Sequence, residues 1–167
     1  LGGFVNNAYN TNLKNVHVKS GSVKNKDGIG ETNSTGGFAG NVYNSVIIDN
    51  CSSSVSVTAP KNVGGFIGLN QNAIIKNCYT KSQVSGNTKV GAFIALQSIA
   101  DNTYNIPINS SYYYTKDQTL NPVGGYNTFS HNLNTLPINE LGKGIKGILI
   151  EDPNLEQVKK GNINGDG

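Results

Sequence analysis

The stretch Val63-Gly64-Gly65-Phe66-Ile67-Gly68 decides how this chain can fold, because the same phrase returns along it. The other copies also place an aromatic residue two positions after a glycine; they are Gly2-Gly3-Phe4-Val5, Gly36-Gly37-Phe38-Ala39, Gly91-Ala92-Phe93-Ile94 and the weaker Gly124-Gly125-Tyr126. Their first glycines are separated in turn by 34, 28, 27 and 33 residues. Self-similarity of this kind is typical of repeat architectures, in which each unit buries its apolar face against the next unit.

Two further landmarks recur after the glycine phrases. The first reads Ile75-Lys76-Asn77-Cys78, and its relatives are Leu13-Lys14-Asn15-Val16, Ile48-Asp49-Asn50-Cys51 and Ile108-Asn109-Ser110. The second is a valine, which is Val23, Val57 or Val84. The runs between landmarks are short, rich in Val, Ile, Thr, Ser and Tyr, and bounded by Asn and Gly, a pattern that predicts β-strands.

A unit of 27 or 28 residues suits one coil of a parallel β-helix, since a propeller blade needs four strands. Each coil then pairs with the next at a strand spacing of about 4.8 Å. We therefore predict an all-β fold, a right-handed parallel β-helix of about four coils over residues 1–126.

Residues at one phase of a solenoid stack in files along its axis. We expect an internal aromatic file, which comprises Phe4, Phe38, Phe66 and Phe93. We also expect an asparagine ladder, in which side-chain amides bond to the coils above and below; it comprises Asn15, Asn50, Asn77 and Asn109. Lys14, Asp49 and Lys76 share one phase and alternate in sign, which stabilises neighbouring strands.

The glycine phrase and the Ile75–Cys78 phrase together resemble the GLUG-type repeat, over about residues 1–115. The first repeat departs from the pattern by an insertion at 24–34, and the fourth has Ala92 for glycine and Ser110 for cysteine. Repeats of this type occur in large secreted or wall-attached bacterial proteins, among them adhesin-like proteins and non-catalytic regions of IgA-specific zinc metallopeptidases. The resemblance implies an extracellular accessory module and specifies no ligand.

Composition disfavours several classes of protein. Of 167 residues only 14% are charged, and no apolar run approaches the ~20 residues of a membrane span. The 13 basic residues are all lysines without a basic run, so nucleic-acid binding has little support. The 21 glycines and 26 asparagines indicate frequent turns. Because the chain starts at Leu1 and has no methionine, we interpret it as a piece of a longer modular protein.

Cys51 and Cys78 are 27 residues apart and share one phase. Neighbouring coils would bring their Cα atoms within disulfide range, but parallel Cβ vectors suit a bridge poorly. Two buried thiols are the favoured interpretation, although an exported protein would favour a disulfide.

No motif predicts catalysis. The sequence has no His-Glu-x-x-His zinc motif, no Gly-x-Ser-x-Gly elbow and no phosphate loop. Its ten acidic residues are dispersed, so a glycosidase pair has weak support. His17 and His131 lie in different regions, and we expect His17 to face solvent. We predict a non-enzyme without a cofactor in the folded repeat.

Tyr112-Tyr113-Tyr114 is the one surface feature that could bind a ligand. In a strand Tyr113 faces away from its two neighbours, so at least one ring should be exposed and could stack on a sugar. The alternative is an edge strand whose tyrosines cover the end of the solenoid.

Beyond the repeats, we predict a small α/β cap over residues 127–160, with short helices at 135–142 and 152–160 and an apolar strand at 148–150. The last residues, 161–167, resemble the opening of a dockerin. Asn162, Asn164, Asp166 and Gly167 match positions 1, 3, 5 and 6 of its calcium loop, so calcium would bind once the loop is complete. A plain Gly/Asn turn is the alternative. The resemblance implies a cohesin partner.

Three functions are open at this point. The favoured one is a secreted or cell-surface module for adhesion, with a glycan or a host surface protein as its partner. The second is a structural spacer of a secreted zinc metallopeptidase. The third, a β-helix polysaccharide lyase or hydrolase, predicts clustered acids that the sequence does not show.

Overall fold

A computed structural model describes residues 1–26, 33–43, 45–99, 108–115, 120–128 and 145–149. Every regular element in these ranges is a β-strand, so the described protein is all-β. In the same ranges, none of the structure forms a helix of the length and apolar character that a bilayer span needs. The predicted helices at 135–142 and 152–160 lie outside the described residues.

The strands fall into successive sets along the chain. The first set is β1 (Val5–Ala8), β2 (Asn12–Lys14), β3 (His17–Val18) and β4 (Ser22–Lys24). The second is β5 (Thr35–Gly36), β6 (Ala39–Val42), β7 (Ile47–Asp49), β8 (Ser52–Ser53) and β9 (Ser56–Thr58). The third is β10 (Lys61–Gly64), β11 (Ile67–Gln71), β12 (Ile74–Lys76), β13 (Tyr79–Thr80) and β14 (Gln83–Ser85). The fourth is β15 (Thr88–Gly91), β16 (Ile94–Ile99), β17 (Ile108–Asn109) and β18 (Ser111–Thr115), and β19 (Val123–Thr128) and β20 (Ile145–Leu149) follow.

Corresponding strands of successive sets pair in parallel and form five sheets. Sheet A has the order β15-β10-β5, sheet B β1-β6-β11-β16-β19, sheet C β17-β12-β7-β2, sheet D β20-β18-β13-β8-β3 and sheet E β14-β9-β4. In the third and fourth sets the strand register follows the 27-residue sequence repeat, since Val63 pairs with Val90 and Ile67 with Ile94. Such parallel sheets, visited in the same order by each set, make a β-helix-like fold.

In the second, third and fourth sets the glycine phrase forms the corner between sheet A and sheet B. A Cβ on Gly64 would lie 2.0 Å from the carbonyl oxygen of Ile67 and 2.6 Å from the amide nitrogen of Ala95. Only glycine fits so close to two backbones, one of them in the next set. The corner then directs Phe66 into the interior, where it is fully buried.

A second corner, between sheet C and sheet D, explains the recurring asparagines. Asn15, Asn50 and Asn77 have φ values of 57°, 53° and 55°, in the left-handed region. Asparagine tolerates this region better than most residues with a side chain. The fourth set places Ser110 there, with φ 48°.

The aromatic side chains stack inside the fold. Ring centroids are 4.7 Å apart for Phe38 and Phe66 and 4.8 Å apart for Phe66 and Phe93, and all three rings are 0% exposed. Phe4 lies 5.5 Å from Phe38 but is 51% exposed, contrary to the expectation of an internal position. It belongs to the first set, whose strands β1 to β4 are sheet edges, so in the described structure no strand covers its outer side.

Candidate binding face

The outer surface of sheet D carries the exposed part of the predicted tyrosine motif. Thr80 of β13 points inward and is 1% exposed, whereas its neighbour Tyr79 points outward and is half-buried. In β18, Tyr112 is in register with Tyr79 and Tyr113 with Thr80. Tyr112 and Tyr114 therefore face outward with Tyr79. We call Tyr79, Lys81, Tyr112, Tyr114 and Lys146 the tyrosine face.

Rings and lysines interleave on the tyrosine face. Tyr79 and Tyr114 meet edge to face, with ring centroids 6.2 Å apart and an interplanar angle of 87°. The Nζ of Lys81 lies 5.3 Å from the centroid of the Tyr114 ring, a cation–π contact. Lys146 of β20 is exposed and in register with Tyr112. The face is thus an aromatic surface with one positive charge on β20 and one directly after β13.

The same row of sheet D carries smaller side chains in the first two sets. Tyr79 is in register with Ser52, and Ser52 with His17. His17 is exposed, and its Nδ1 lies 2.8 Å from the Oγ of Ser52. The repeat itself therefore accepts His, Ser or Tyr at this position, and the tyrosines are not required by the stacking of strands.

Tyr113 is the inward member of the predicted motif. It packs against the central core cluster, and its hydroxyl donates to the carbonyl oxygen of Leu120 at 3.4 Å. Burial raises the pKa of Tyr113. Tyr113 therefore supports the fold, and only Tyr112 and Tyr114 of the three contribute to the outer surface.

The interior of sheet D contains a hydroxyl cluster that the sequence did not reveal. Ser53 Oγ and Thr80 Oγ1 lie 3.0 Å apart, and each donates to the carbonyl oxygen of Gly65, at 2.8 and 3.0 Å. Ser82 Oγ donates to Ser53 Oγ at 3.2 Å and accepts the amide of Val55 at 3.2 Å. These bonds tie the inner side of sheet D to the glycine corner, so they are structural.

The predicted asparagine ladder takes a different form. Asn50 Nδ2 donates to Asn15 Oδ1 at 2.7 Å, but Asn77 Nδ2 donates to Asp49 Oδ1 at 3.0 Å. Asn109 is in register with Lys76 and so lies one position away from the ladder phase. The ladder is therefore an asparagine pair followed by an asparagine–aspartate pair.

Asp49 completes the charged row of sheet C. Its Oδ2 lies 3.5 Å from the Nζ of Lys76, and it is in register with both Lys76 and Lys14. The hydrogen bond from Asn77, with smaller contributions from the two lysines, lowers the pKa of Asp49.

Cys51 and Cys78 are free, fully buried thiols on neighbouring sets. Cys51 Sγ donates to the carbonyl oxygen of Asp49 at 3.4 Å, and Cys78 Sγ donates to that of Lys76 at 3.1 Å. Their mutual hydrogen bond lowers the pKa of Cys51 and raises that of Cys78, which burial raises further. Burial and a raised pKa both disfavour the thiolate form of Cys78.

A separate exposed aromatic pair lies at the end of sheet B. The rings of Tyr9 and Tyr43 are 4.1 Å apart and nearly parallel, at 4°, and Tyr9 is 58% exposed. Their hydrogen bond, followed by burial, raises the pKa of Tyr43 to about 12. The tyrosine recurs in the first two sets only, because the third set has Gln71 at the corresponding position after Asn70.

The described ranges contain few side chains that could bind a metal or act as acid–base pairs. No group of three His, Cys, Asp or Glu side chains there could hold a metal ion. Asp49 is the one Asp or Glu within those ranges, so the described surface holds no pair of carboxylates. Asn162, Asn164 and Asp166, the predicted calcium ligands, lie outside the described residues.

Comparison with known proteins identifies one repeat. The model of the GLUG motif matches residues 59–85. No curated protein and no solved structure matches the chain. The matched stretch begins two residues before β10 and ends with β14, so one GLUG motif corresponds to one complete set of five strands. Residues 59–85 are thus a GLUG-type repeat, and the chain carries it as a repeat module.

Proposed function

We propose that this chain is a non-catalytic module of a larger secreted or cell-surface bacterial protein, and that it binds glycan through the tyrosine face. The observation that carries the proposal is the position of Tyr79 and Tyr112, side by side on neighbouring strands and turned away from the core. A host surface protein that displays such a glycan would be held by the same face.

The physical argument begins from the fact that the fold does not require tyrosine in this row. Their row holds His17 and Ser52 in the other sets, so strand stacking tolerates small polar side chains there. Tyrosine supplies a large, rigid and amphipathic contact area at a low entropic cost, which suits recognition of a polar ligand with apolar faces. The edge-to-face packing of Tyr79 and Tyr114 holds the rings in place before a ligand arrives.

Several finer proposals accompany this function. Crossovers between parallel strands are nearly always right-handed, so we infer that the sets are coils of a right-handed β-helix, about four in number. Residues 127–160 would cap it, and β20 supports this because it adds an edge strand to sheet D. A dockerin that binds calcium and a cohesin partner remains a proposal from residues 161–167 alone, and enzyme activity, if present, would belong to other parts of the parent.

A spacer is the second candidate function. It is favoured by the continuous interior, in which Phe38, Phe66 and Phe93 stack through three sets, because such a rod separates other modules without binding anything. In that case the tyrosines would serve only to cover strands near the end of sheet D.

A glycan array probed with the labelled chain separates the two candidates. We expect binding by the wild type and a loss of at least tenfold in affinity for Tyr79→Ala/Tyr112→Ala. Tyr9→Ala is the matched control, since it removes an exposed tyrosine on another sheet and should bind normally. Absence of binding to every glycan would support the spacer. Tyr113→Ala is unsuitable as a test, because that ring packs on the core.

A further inference from the structure

The lysines of the tyrosine face indicate which glycans it would take. We infer that its ligand is an acidic glycan, in which uronic acid carboxylates or sulfate groups contact Lys81 and Lys146 while sugar rings lie on Tyr79 and Tyr112. This inference rests on the proposed function and adds the chemical class of the ligand.

The first observation is that lysines and tyrosine rings are neighbours across the face. Lys146 of β20 is in register with Tyr112, and Tyr112 with Tyr79. Lys81 follows directly after β13, and its Nζ lies over the Tyr114 ring at 5.3 Å from the centroid. A ligand that lies across these strands would meet both a ring and an ammonium group within adjacent strand spacings of about 4.8 Å.

The second observation is the charge balance around the face. In the described ranges Asp49 is the single acidic side chain, and it lies in sheet C, where it pairs with Lys76 at 3.5 Å. Lys146 of β20 is exposed, as are Lys19 and Lys81, which directly follow the sheet D strands β3 and β13. The described surface of this sheet is therefore positive, which favours an anionic ligand over a neutral one.

The third observation concerns the type of cation. The chain contains no arginine, so a planar bidentate clamp on a carboxylate or sulfate is absent from the whole sequence. Lysine acts as a hydrated point charge on a flexible stem. We therefore expect contacts that accept carboxylate and sulfate alike and that weaken as salt screens them, over a Debye length of about 10 Å at 0.1 M.

Matched polymers test the inference. Binding of the full chain is measured by biolayer interferometry to polygalacturonate and to hyaluronan, each in its native form and after reduction of its carboxyl groups to alcohols. We expect the native polymers to bind at least tenfold more tightly than their reduced forms at low salt, and the difference to shrink in 0.5 M NaCl, where the screening length is only a few ångström.

Two variants assign the effect to residues. Lys81→Gln/Lys146→Gln should lose roughly tenfold in affinity for the native polymers and little for the reduced ones. Lys89→Gln, an exposed lysine of sheet A, is the matched control and should change neither. Melting curves should coincide for all three proteins, because none of these lysines is buried.

The outcomes separate this inference from the proposed function. If native and reduced polymers bind equally and Tyr79→Ala/Tyr112→Ala abolishes both, the tyrosine face binds glycan but the acidic class is wrong. If Lys81→Gln/Lys146→Gln and Lys89→Gln lose affinity equally, attraction is diffuse and the assignment to Lys81 and Lys146 is wrong. If no polymer binds in either form, the inference fails, and the array decides whether the proposed function fails with it.

Discussion

Two groups of aromatic residues recur in this molecule, one inside the fold and one on its outer surface. The inner file of Phe38, Phe66 and Phe93 is fully buried and recurs in every complete set. The outer tyrosines, Tyr79 and Tyr112, occur in two sets only, and their row holds serine and histidine elsewhere. Strand stacking requires the inner phenylalanines and not the outer tyrosines. The inner aromatics therefore explain the fold, and the outer ones are candidates for function.

The largest expected effect is on stability, and it distinguishes a buried from an exposed phenylalanine at the same position of the repeat. Phe66→Ala should lower the free energy of unfolding by about 3–5 kcal/mol, because it leaves a cavity between two stacked rings. Phe4→Ala is the matched control at the same phase, and its 51% exposure predicts a clearly smaller loss. Urea denaturation measures both. Equal losses would show that burial in the file does not determine stability.

Next comes the glycine corner that directs the inner ring. Gly64→Ala should lower the free energy of unfolding by about 1–3 kcal/mol or more, since its Cβ would lie 2.0 Å from the oxygen of Ile67. Gly125→Ala is the comparison, because a Cβ there has its nearest neighbour at 3.4 Å, a lysine side-chain carbon. Thermal melts of the two variants check this. A tolerated Gly64→Ala would contradict the corner geometry.

A buried and an exposed threonine can be compared in the same way. Thr80→Val keeps the shape but leaves the carbonyl of Gly65 and Ser53 Oγ with one partner fewer, at a cost of about 1–3 kcal/mol. Thr58→Val, on an exposed position of β9, should cost much less. Chemical denaturation of both proteins gives the comparison, and similar values would mean that the buried hydroxyl contributes nothing.

The smallest effect concerns the exposed charge row. Asp49 has a folded pKa below its ordinary value of 3.8, so its carboxylate contributes stability above that value and loses the contribution as the pH falls through the folded pKa. A plot of melting temperature against pH should therefore decline slightly more steeply below pH 3.8 for the wild type than for Asp49→Asn. Parallel curves would mean that Asn77 and Lys76 do not favour the charged form.

The recurrence of a phrase was enough to anticipate the interior and the strands. The positions of Phe38, Phe66 and Phe93, and the in-register pairing of the second and third sets, follow from the repeat because stacked units must place equivalent side chains together. Phe4 was misplaced because its burial depends on whether a further strand set covers it, which a phase argument does not address.

The finer features depended on local backbone geometry. The sequence predicts Asn109 in the ladder, but the corner requires a residue with left-handed backbone conformation, and Ser110 occupies that position. The two differ by one position, and a serine gives no signal for such a conformation. The hydroxyl cluster was equally hidden, because serine and threonine occur on both sides of these strands. Alternation did separate Tyr113 from its neighbours, but it could not tell which side faced the core.

Chemical shift mapping by NMR tests the separation of inner and outer aromatics most directly. The labelled chain would be titrated with polygalacturonate oligomers while the amide and aromatic resonances of Tyr79, Tyr112 and Tyr9 are followed. Saturable shifts at Tyr79 and Tyr112, with Tyr9 and Phe66 unchanged, are the predicted result. Shifts confined to Tyr9 and its surroundings would contradict a binding role for the tyrosine face, and no saturable shift at any residue would contradict the acidic class of its ligand.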